Sequence, residues 1–198
     1  MAEPARSNPE RLATAKDLLA LPPDVSAEII GGVIVEKAMP SFDHGRSQGC
    51  VREHIGPFDR RPGGRSPGGW WIGLEVDVEY EAHEVYRHDL VGWRRERVPE
   101  PPRERPVGVR PDWACEVLSP SNWANDTVKK FQTLQRCGVP HYWLVDLEHR
   151  YLTIYRLVDS GLYAVAALAQ PGQRMRLEPF DAIEIEVGVL FGDDPAED

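Results

Sequence analysis

Apolar and polar positions along the chain predict a mixture of strands and helices. Short apolar runs bounded by Gly, Pro and polar residues are typical of strands, and apolar residues spaced three or four apart are typical of helices. The predicted strands are 27–38, 70–80, 85–93, 112–118, 141–146, 151–157 and 162–168, and Gly31-Gly32 marks a turn or bulge in the first of them. The predicted helices are 14–21, 44–58 and 122–137.

The stretch 110–146 is the most informative part of this pattern. Two apolar strands there flank a polar turn, whose Ser or Asn side chains are suited to cap a helix, and a segment with helical spacing that ends at Gly138. The residues at helical spacing are Val128, Phe131, Leu134 and Gln135. A strand, a crossover helix and a strand imply two parallel strands with the helix on one face. The sequence therefore predicts an α/β fold with a mixed central β-sheet flanked by helices.

Length and composition set the class of protein. The chain has 198 residues, 41% hydrophobic and 28% charged, which is ordinary for a soluble globular protein. We predict one domain over residues 12–192, between a disordered tail at 1–11 and an acidic tail at 193–198. No segment approaches the ~18 apolar residues of a membrane span, and residues 1–10 lack an apolar signal core, so we expect a cytoplasmic protein. The three widely spaced cysteines fit neither a disulfide framework nor a zinc site.

The net charge of −9 argues against a nucleic-acid partner, because binding DNA ordinarily needs a basic surface. The charge is uneven, however, since arginines concentrate in residues 87–110 and 60–65. These arginines could form a local basic rim on an acidic body. They could equally lie in a solvated loop, and the sequence leaves both interpretations open.

Two acids stand inside otherwise apolar strands, Asp89 in 85–93 and Glu116 in 112–118. A charge in a buried strand is costly unless it is paired. If the strands are neighbours, the carboxylates can face each other at about 5 Å, which suits one Mg²⁺ or Mn²⁺ ion with water and phosphate as further ligands. Asp112 shares a face with Glu116 but lies ~13 Å along the strand, so we interpret it as structural.

A lysine follows these acids on the predicted helix. Lys130 could swing back over Glu116, where it would orient an attacking water or stabilise the oxyanion. Neighbouring helix positions diverge by ~100°, so Lys129 and Lys130 cannot both face the acids, and we expect Lys130 to do so. The alternative is that both lysines lie on a solvated helix face.

The motifs around these residues resemble the Uma2 family of endonucleases, which belongs to the PD-(D/E)XK nuclease superfamily. The resemblance covers roughly residues 14–191. The segments that carry it are AEIIGGVIVEKAMPSFDHG, VYRHDLVGW, RPDWACEVLSPS, NDTVKKF and GVPHYWLVD. It implies a restriction-endonuclease-like core and a Mg²⁺-dependent endonuclease that hydrolyses DNA.

Carried over residue by residue, the resemblance implies roles for four side chains. Asp89 and Glu116 become metal ligands, Lys130 the catalytic lysine, and Glu28 an auxiliary acid on the rim of the site. His88 departs from the family pattern by replacing a proline. Leu118 stands where a strict Glu-x-Lys motif has its lysine, so the lysine must come from elsewhere, and Lys130 is the candidate.

Two functions therefore remain open. The first is a Mg²⁺- or Mn²⁺-dependent nuclease acting on nucleic acid, most simply DNA. The second is a catalytically silent domain of the same fold that serves as a binding or assembly module. The apolar strands near the C-terminus also suggest a homodimer.

The tryptophans divide into two groups. We interpret Trp113, Trp123 and Trp143 as core or helix-packing residues. Trp70, Trp71 and Trp93 lie beside glycines and arginines, so they are the better candidates for stacking on nucleic-acid bases.

Overall fold

A computed structural model describes residues 11–64, 66–119 and 123–195. The tails expected at 1–11 and 193–198 lie mostly outside these ranges, as does most of the capping turn expected at 119–122. Within the described ranges, no helix has both the length and the apolar character needed to cross a membrane.

The N-terminal part consists of a short helix and a hairpin. Helix α1 (Ala15–Leu19) begins after Thr14, whose N–H and hydroxyl both donate to the Asp17 carboxylate at 2.8 Å. Strands β1 (Ala27–Ile30) and β2 (Val33–Glu36) follow and pair antiparallel. The strand expected over 27–38, with a turn or bulge at Gly31-Gly32, is thus a hairpin that turns at those glycines. Its turn is Gly31-Gly32, with φ of 59° and 77°, a left-handed conformation that favours glycine.

The remaining elements follow the predicted order closely. They are α2 (Phe42–His54), β3 (Trp70–Glu81), β4 (Glu84–Arg94), β5 (Trp113–Leu118), a π-helical turn (Asn125–Lys130), α3 (Phe131–Arg136), β6 (His141–Asp146), β7 (Tyr151–Leu157), β8 (Tyr163–Ala169), β9 (Arg174–Met175) and β10 (Ile185–Glu186). Short 3₁₀ turns lie at Gly56–Phe58 and Val187–Phe191.

The main sheet has eight strands and is mixed. Its order is β2-β1-β4-β5-β6-β7-β8, with β3 also paired to β4, while β9 and β10 form a separate small sheet. Strands β5 and β6 are parallel and the other neighbouring pairs in the main sheet are antiparallel. The predicted α/β class and the parallel pair around the crossover helix are both confirmed.

Strand β4 forms a fork in this sheet. Strand β3 pairs with β4 between residues 84 and 94, with a break at Asp89, and so occupies one of its two edges. Strand β1 reaches β4 at Val85, and β5 reaches it at 90–92, so these two strands share the other edge. Residues 86–89 of β4 face the gap between β1 and β5.

The core packs against both faces of the sheet. On one face, α2 and the C-terminal segment cover the sheet, and the Phe180 ring lies 4.9 Å from Phe58, 5.0 Å from Trp70, 4.9 Å from Trp113 and 5.7 Å from Trp143. On the other face, α3 covers the sheet through Leu134. The expectation that Trp113 and Trp143 are core residues is correct, since both are fully buried.

The helix before β6 departs from its predicted phase. Leu134 is fully buried, as its position in the apolar spacing requires, but Val128 is 45% exposed. Residues 125–130 form a π-helical turn, in which hydrogen bonds run from i to i+5 and each turn holds more residues than in an α-helix. A 3.6-residue period therefore places Val128 on the wrong face.

The aromatic cluster predicts a large effect of one substitution. Phe180 is fully buried, so Phe180→Ala leaves a cavity, and we expect it to lower the free energy of unfolding by about 3–5 kcal/mol in urea titrations. Phe42→Ala is the matched control, because Phe42 is 80% exposed and its loss should change stability by less than about 0.5 kcal/mol. Equal stability of the two variants would contradict this packing.

Candidate active site

Asp89 and Glu116 lie opposite each other where the fork opens. The last paired residues of β4 and β5 at this end are Leu90 and Cys115. Asp89 and Glu116 are the next residue on each strand. The expectation that the two acids lie on adjacent strands is therefore confirmed.

Carboxylates replace the missing strand-to-strand hydrogen bonds in the fork. The Val117 N–H of β5 donates to Asp89 Oδ2 at 2.8 Å. The Arg87 N–H of β4 donates to Glu28 Oε2 at 3.4 Å. A buried backbone donor without a partner is costly, so these acids complete the sheet as well as carrying charge. This explains why Glu28, on β1, is buried rather than exposed on a rim.

Lys130 holds three of the acids together. Its ammonium lies 3.1 Å from Glu116 Oε1, 3.0 Å from Glu28 Oε2 and 2.9 Å from Asp126 Oδ1, and the lysine is 1% exposed. The π-helical turn directs Asp126 and Lys130 inward, while Lys129 is exposed. The expectation that Lys130 and not Lys129 faces Glu116 is confirmed.

His88 is a second partner of Glu116. Its Nδ1 lies 2.6 Å from Glu116 Oε1, and its Nε2 lies 2.7 Å from the Tyr80 hydroxyl. Burial, reinforced by the charge of Lys130, lowers the pKa of His88 to about 3, so the imidazole is neutral at pH 7. Burial also keeps the Tyr80 hydroxyl protonated by raising its pKa. Tyr80 therefore donates to Nε2, and Nδ1–H donates to Glu116.

The buried cluster holds more potential negative charge than Lys130 can balance. Burial raises the pKa of Glu116 to about 7, and the charge of Lys130 offsets only part of this effect. Burial raises the pKa of Asp126 to about 7 in the same way. Burial alone would lower the pKa of Lys130, but the charges of Asp126, Glu116 and Glu28 raise it well above its ordinary value. Lys130 stays charged, and protons are shared among the acids.

Asp89 has a different set of partners. Lys37 Nζ lies 2.9 Å from its Oδ1, and His44 Nε2 lies 3.4 Å from its Oδ2. Burial alone would raise the pKa of Asp89, but His44 and Lys37 outweigh it and lower the pKa. The same contact raises the pKa of His44, since the hydrogen bond and charge of Asp89 outweigh the burial of the imidazole.

Asp89 opens onto a cleft of about 930 Å³. Charged and polar side chains line the cleft, among them Lys37, His44, Gln48, Glu75 and Asp89. It is also lined by Met39, Leu118, Trp123 and residues 146–149. Glu28, Glu116 and Lys130 do not line the cleft and lie behind it. Three of the four predicted site residues, Glu28, Glu116 and Lys130, lie in one ion cluster. The fourth, Asp89, lines the cleft.

Apart from Lys130, sequence reasoning gave no site role to the partners of these acids. Lys37 follows an apolar strand as many exposed lysines do, so no local signal marks it. Asp126 stands four residues before Lys130, a spacing that brings two side chains together on a helix, and this signal could have found it. His44 and Gln48 are also four apart on α2, and Gln48 donates to the Asp89 carbonyl at 2.9 Å.

The arginines of residues 87–110 fasten the loop to the sheet. Arg97 pairs with Asp112 at 2.8 Å, and Arg105 pairs with Asp77 at 2.9 Å. The Arg95 guanidinium lies 3.4 Å above the centre of the Trp71 ring. Among the described residues no arginine lines the cleft, so a basic rim is not found at this opening. The structural interpretation of Asp112 fits its pairing with Arg97.

The donor set suits a hard divalent cation in one particular mode. Carboxylate oxygens are the ligands that Mg²⁺ and Mn²⁺ prefer, and Mg²⁺ is often bound by one or two carboxylates with water and phosphate completing its shell. Asp89 and Glu116 provide two such groups from adjacent strands. Among the described residues, no group of three or more His, Cys, Asp or Glu side chains could hold a metal ion. A dedicated all-protein cage is therefore not formed by this part of the chain.

Comparisons with known proteins agree with this architecture. The family model described as "Uma2: Putative restriction endonuclease" matches residues 15–188. A crystal structure of "a putative nuclease belonging to DUF820" from Anabaena variabilis ATCC 29413 superposes with a TM-score of 0.69, covering 90% of this chain and 97% of that one. Sequence identity to that protein is 21%, so the likeness is one of fold. No curated protein matches the sequence.

Loss of the buried ammonium should destabilise the protein. Lys130→Met leaves three acids around an apolar side chain, and removing one partner of a buried ion pair costs about 3–5 kcal/mol. We expect a loss of this size in urea unfolding at pH 7. Lys129→Met, at an exposed position of the same turn, should change stability by less than about 0.5 kcal/mol. Indistinguishable unfolding of the two variants would mean that the ion cluster does not form.

The raised pKa of Glu116 predicts how stability depends on pH. The folded protein holds this proton up to about pH 7, whereas an unfolded glutamate releases it near pH 4.3. The stabilisation is therefore complete below the unfolded pKa and is lost as the pH rises through about 7. Urea unfolding in EDTA should show this decline, and Glu116→Gln should flatten it in part, because Asp126 contributes in the same direction. An unchanged slope in the variant would contradict the assignment.

Proposed function

Since the chain belongs to the Uma2 family, we propose that it is a metal-dependent endonuclease that hydrolyses phosphodiester bonds of DNA. One observation carries the proposal. At the fork of the sheet, two buried acids follow the last paired residues of adjacent strands, with a lysine ammonium on one carboxylate and a cleft in front of the other. This is a combination of groups that hydrolysis of a phosphodiester requires.

Asp89 and Glu116 would hold the metal in this proposal. Mg²⁺ or Mn²⁺ bound there would lower the pKa of a water ligand and offset the negative charge of the phosphate. Hydrogen bonds within the protein already orient both carboxylates. Val117 N–H donates to Asp89, and His88 Nδ1–H donates to Glu116.

Two lysines, Lys130 and Lys37, would share the roles expected of the catalytic lysine. Lys130 is buried against Glu116, Glu28 and Asp126, which suits it to position Glu116 and to favour its ionised form. Lys37 lines the cleft with its ammonium on Asp89, so it is the lysine that can contact a phosphate oxygen in front of the acids. His44, beside Asp89 in the same cleft, can donate a second hydrogen bond. Glu28 is an auxiliary acid through its contact with Lys130.

A specific observation favours a second candidate, the catalytically silent binding or assembly module. The charges of the site are already paired within the protein, Asp89 with Lys37 and Glu116 with Lys130. The part of the chain that the structure describes places no arginine in the cleft, and the net charge is −9. A fold that keeps these pairs for stability alone would bind no metal.

A homodimer also belongs to the proposal. Strand β8 is the last strand of the main sheet among the described residues, so one row of its backbone groups faces outward. Val165 and Leu168 on this strand are 59% and 60% exposed. Edge strands with exposed apolar side chains are suited to pair with a second copy of the chain.

Glu116→Gln tests the proposed chemistry. Gln keeps the shape and can accept the bonds from His88 and Lys130, but it lacks the charge that holds a divalent cation. We expect purified protein with Mg²⁺ or Mn²⁺ to cut DNA and the variant to lose about 100-fold or more of this activity. Mn²⁺ affinity, measured by calorimetry, should fall in parallel, while urea unfolding should show that the variant is folded.

Glu184→Gln is the matched control, because Glu184 is exposed and lies outside the cleft. Its activity should equal that of the wild type. Equal cutting by Glu116→Gln and the wild type would indicate a contaminating nuclease. Absence of both cutting and Mn²⁺ binding in the wild type, on duplex DNA, single-stranded DNA and RNA, would support the silent module.

A further inference from the structure

Large apolar side chains are exposed at the mouth of the cleft. Met39 is 90% exposed and Trp123 is 51% exposed, and both line the cleft that contains Asp89. Phe42, between the lining residues Ser41 and Asp43, is 80% exposed. Exposed apolar side chains cost solvation free energy, and apolar surface at a cleft commonly marks a binding site.

Trp123 differs from the other five tryptophans. Trp70, Trp93, Trp113 and Trp143 are at most 3% exposed. Trp71 is half-buried, donates its indole N–H to the Val98 carbonyl and is covered by Arg95. The interpretation of Trp123 as a core or helix-packing residue is therefore wrong, as is the choice of Trp70, Trp71 and Trp93 for stacking. Trp123, at the start of the helical segment before β6, keeps half its surface open to the cleft.

The charge of the cleft limits what can bind beside this indole. The described lining residues include five acids, one lysine and no arginine. Duplex DNA is bound mainly through many contacts of Lys and Arg with phosphates, and this cleft offers Lys37 alone, supplemented by His44 and His149. Binding of a nucleic acid here must draw on contacts with the bases. An aromatic face provides such contacts only where a base is unpaired and can leave its stack.

We propose that Trp123, with Met39 beside the same opening, is a stacking platform for an unpaired nucleobase, and that the substrate strand is single-stranded or locally unpaired. This inference rests on the proposed nuclease function, because it takes the ligand of the cleft to be a nucleic acid. The indole stacks on one base while the adjoining phosphate lies toward Lys37 and Asp89. Trp123 is thus a specificity-determining residue on the wall of the cleft.

Anisotropy titrations with fluorescein-labelled oligothymidylate test the platform. The probes are the single strand, a duplex of the same length and an abasic strand with the same number of phosphates, all with Ca²⁺ present and each checked by gel to be intact afterwards. The wild type should bind the single strand most tightly. Trp123→Ala should raise the Kd for the single strand about tenfold, since one base–aromatic stack is lost, and should change the Kd for the duplex and the abasic strand less than about twofold. Trp123→Phe should restore most of the affinity.

Val128→Ala is the matched control, because Val128 is 45% exposed on the same helical segment but does not line the cleft. Its affinities should equal those of the wild type. An unchanged Kd for the single strand in Trp123→Ala, an equal loss for the abasic strand, or no binding of any probe by the wild type would overturn the proposal. If the wild type binds none of the probes, the exposed apolar side chains at the cleft would instead indicate a protein partner.

The two proposals fail separately. If binding depends on Trp123 but the wild type does not cut, the proposed nuclease activity is wrong and the proposed stacking site is supported. If cutting depends on Glu116 but Trp123→Ala has the same Kd for the single strand as the wild type, the nuclease activity is supported and the stacking site is wrong.

Discussion

A strand has only two edges for hydrogen bonding, and on β4 one edge must serve both β1 and β5. The two strands reach it at different points, so the backbone between them loses its ladder partners. Unpaired backbone donors in a buried place demand acceptors, and Asp89 and Glu28 supply them. The acids of the site are therefore part of the sheet. Geometry at the fork fixes them before any ligand is present.

Lys130 makes this arrangement tolerable, at an energetic cost. One buried ammonium serves three buried carboxylates, and burial raises the pKa of two of them to about 7. Apolar side chains of similar size would commonly be as stable or more so. A fold that retains such a cluster is giving up stability, and functional sites are where proteins generally do so. The π-helical turn fits this view, because such turns are frequent at functional sites.

The strands and the parallel pair could be predicted because short apolar runs between Gly and Pro residues usually form buried strands. The acids could be found because Asp89 and Glu116 interrupt such runs. The two glycines mark the break at Gly31-Gly32, although they do not distinguish a turn from a bulge. The exposure of Val128 could not be predicted, because a π-helical turn changes the phase of the residues within it. Lys37 and Trp123 could not be placed either. Their importance comes from the cleft that distant segments form around them, and no local pattern records that.

The open edge of β8 also governs how the protein behaves in concentrated solution. Its seven residues, YAVAALA, carry no charge, so the edge itself has nothing to repel another strand. Protection must come from the net charge of −9, which keeps molecules apart near neutral pH. Close to the isoelectric point of about 5.2 that repulsion vanishes while the edge remains. We therefore expect colloidal stability to be lowest in mildly acidic buffer.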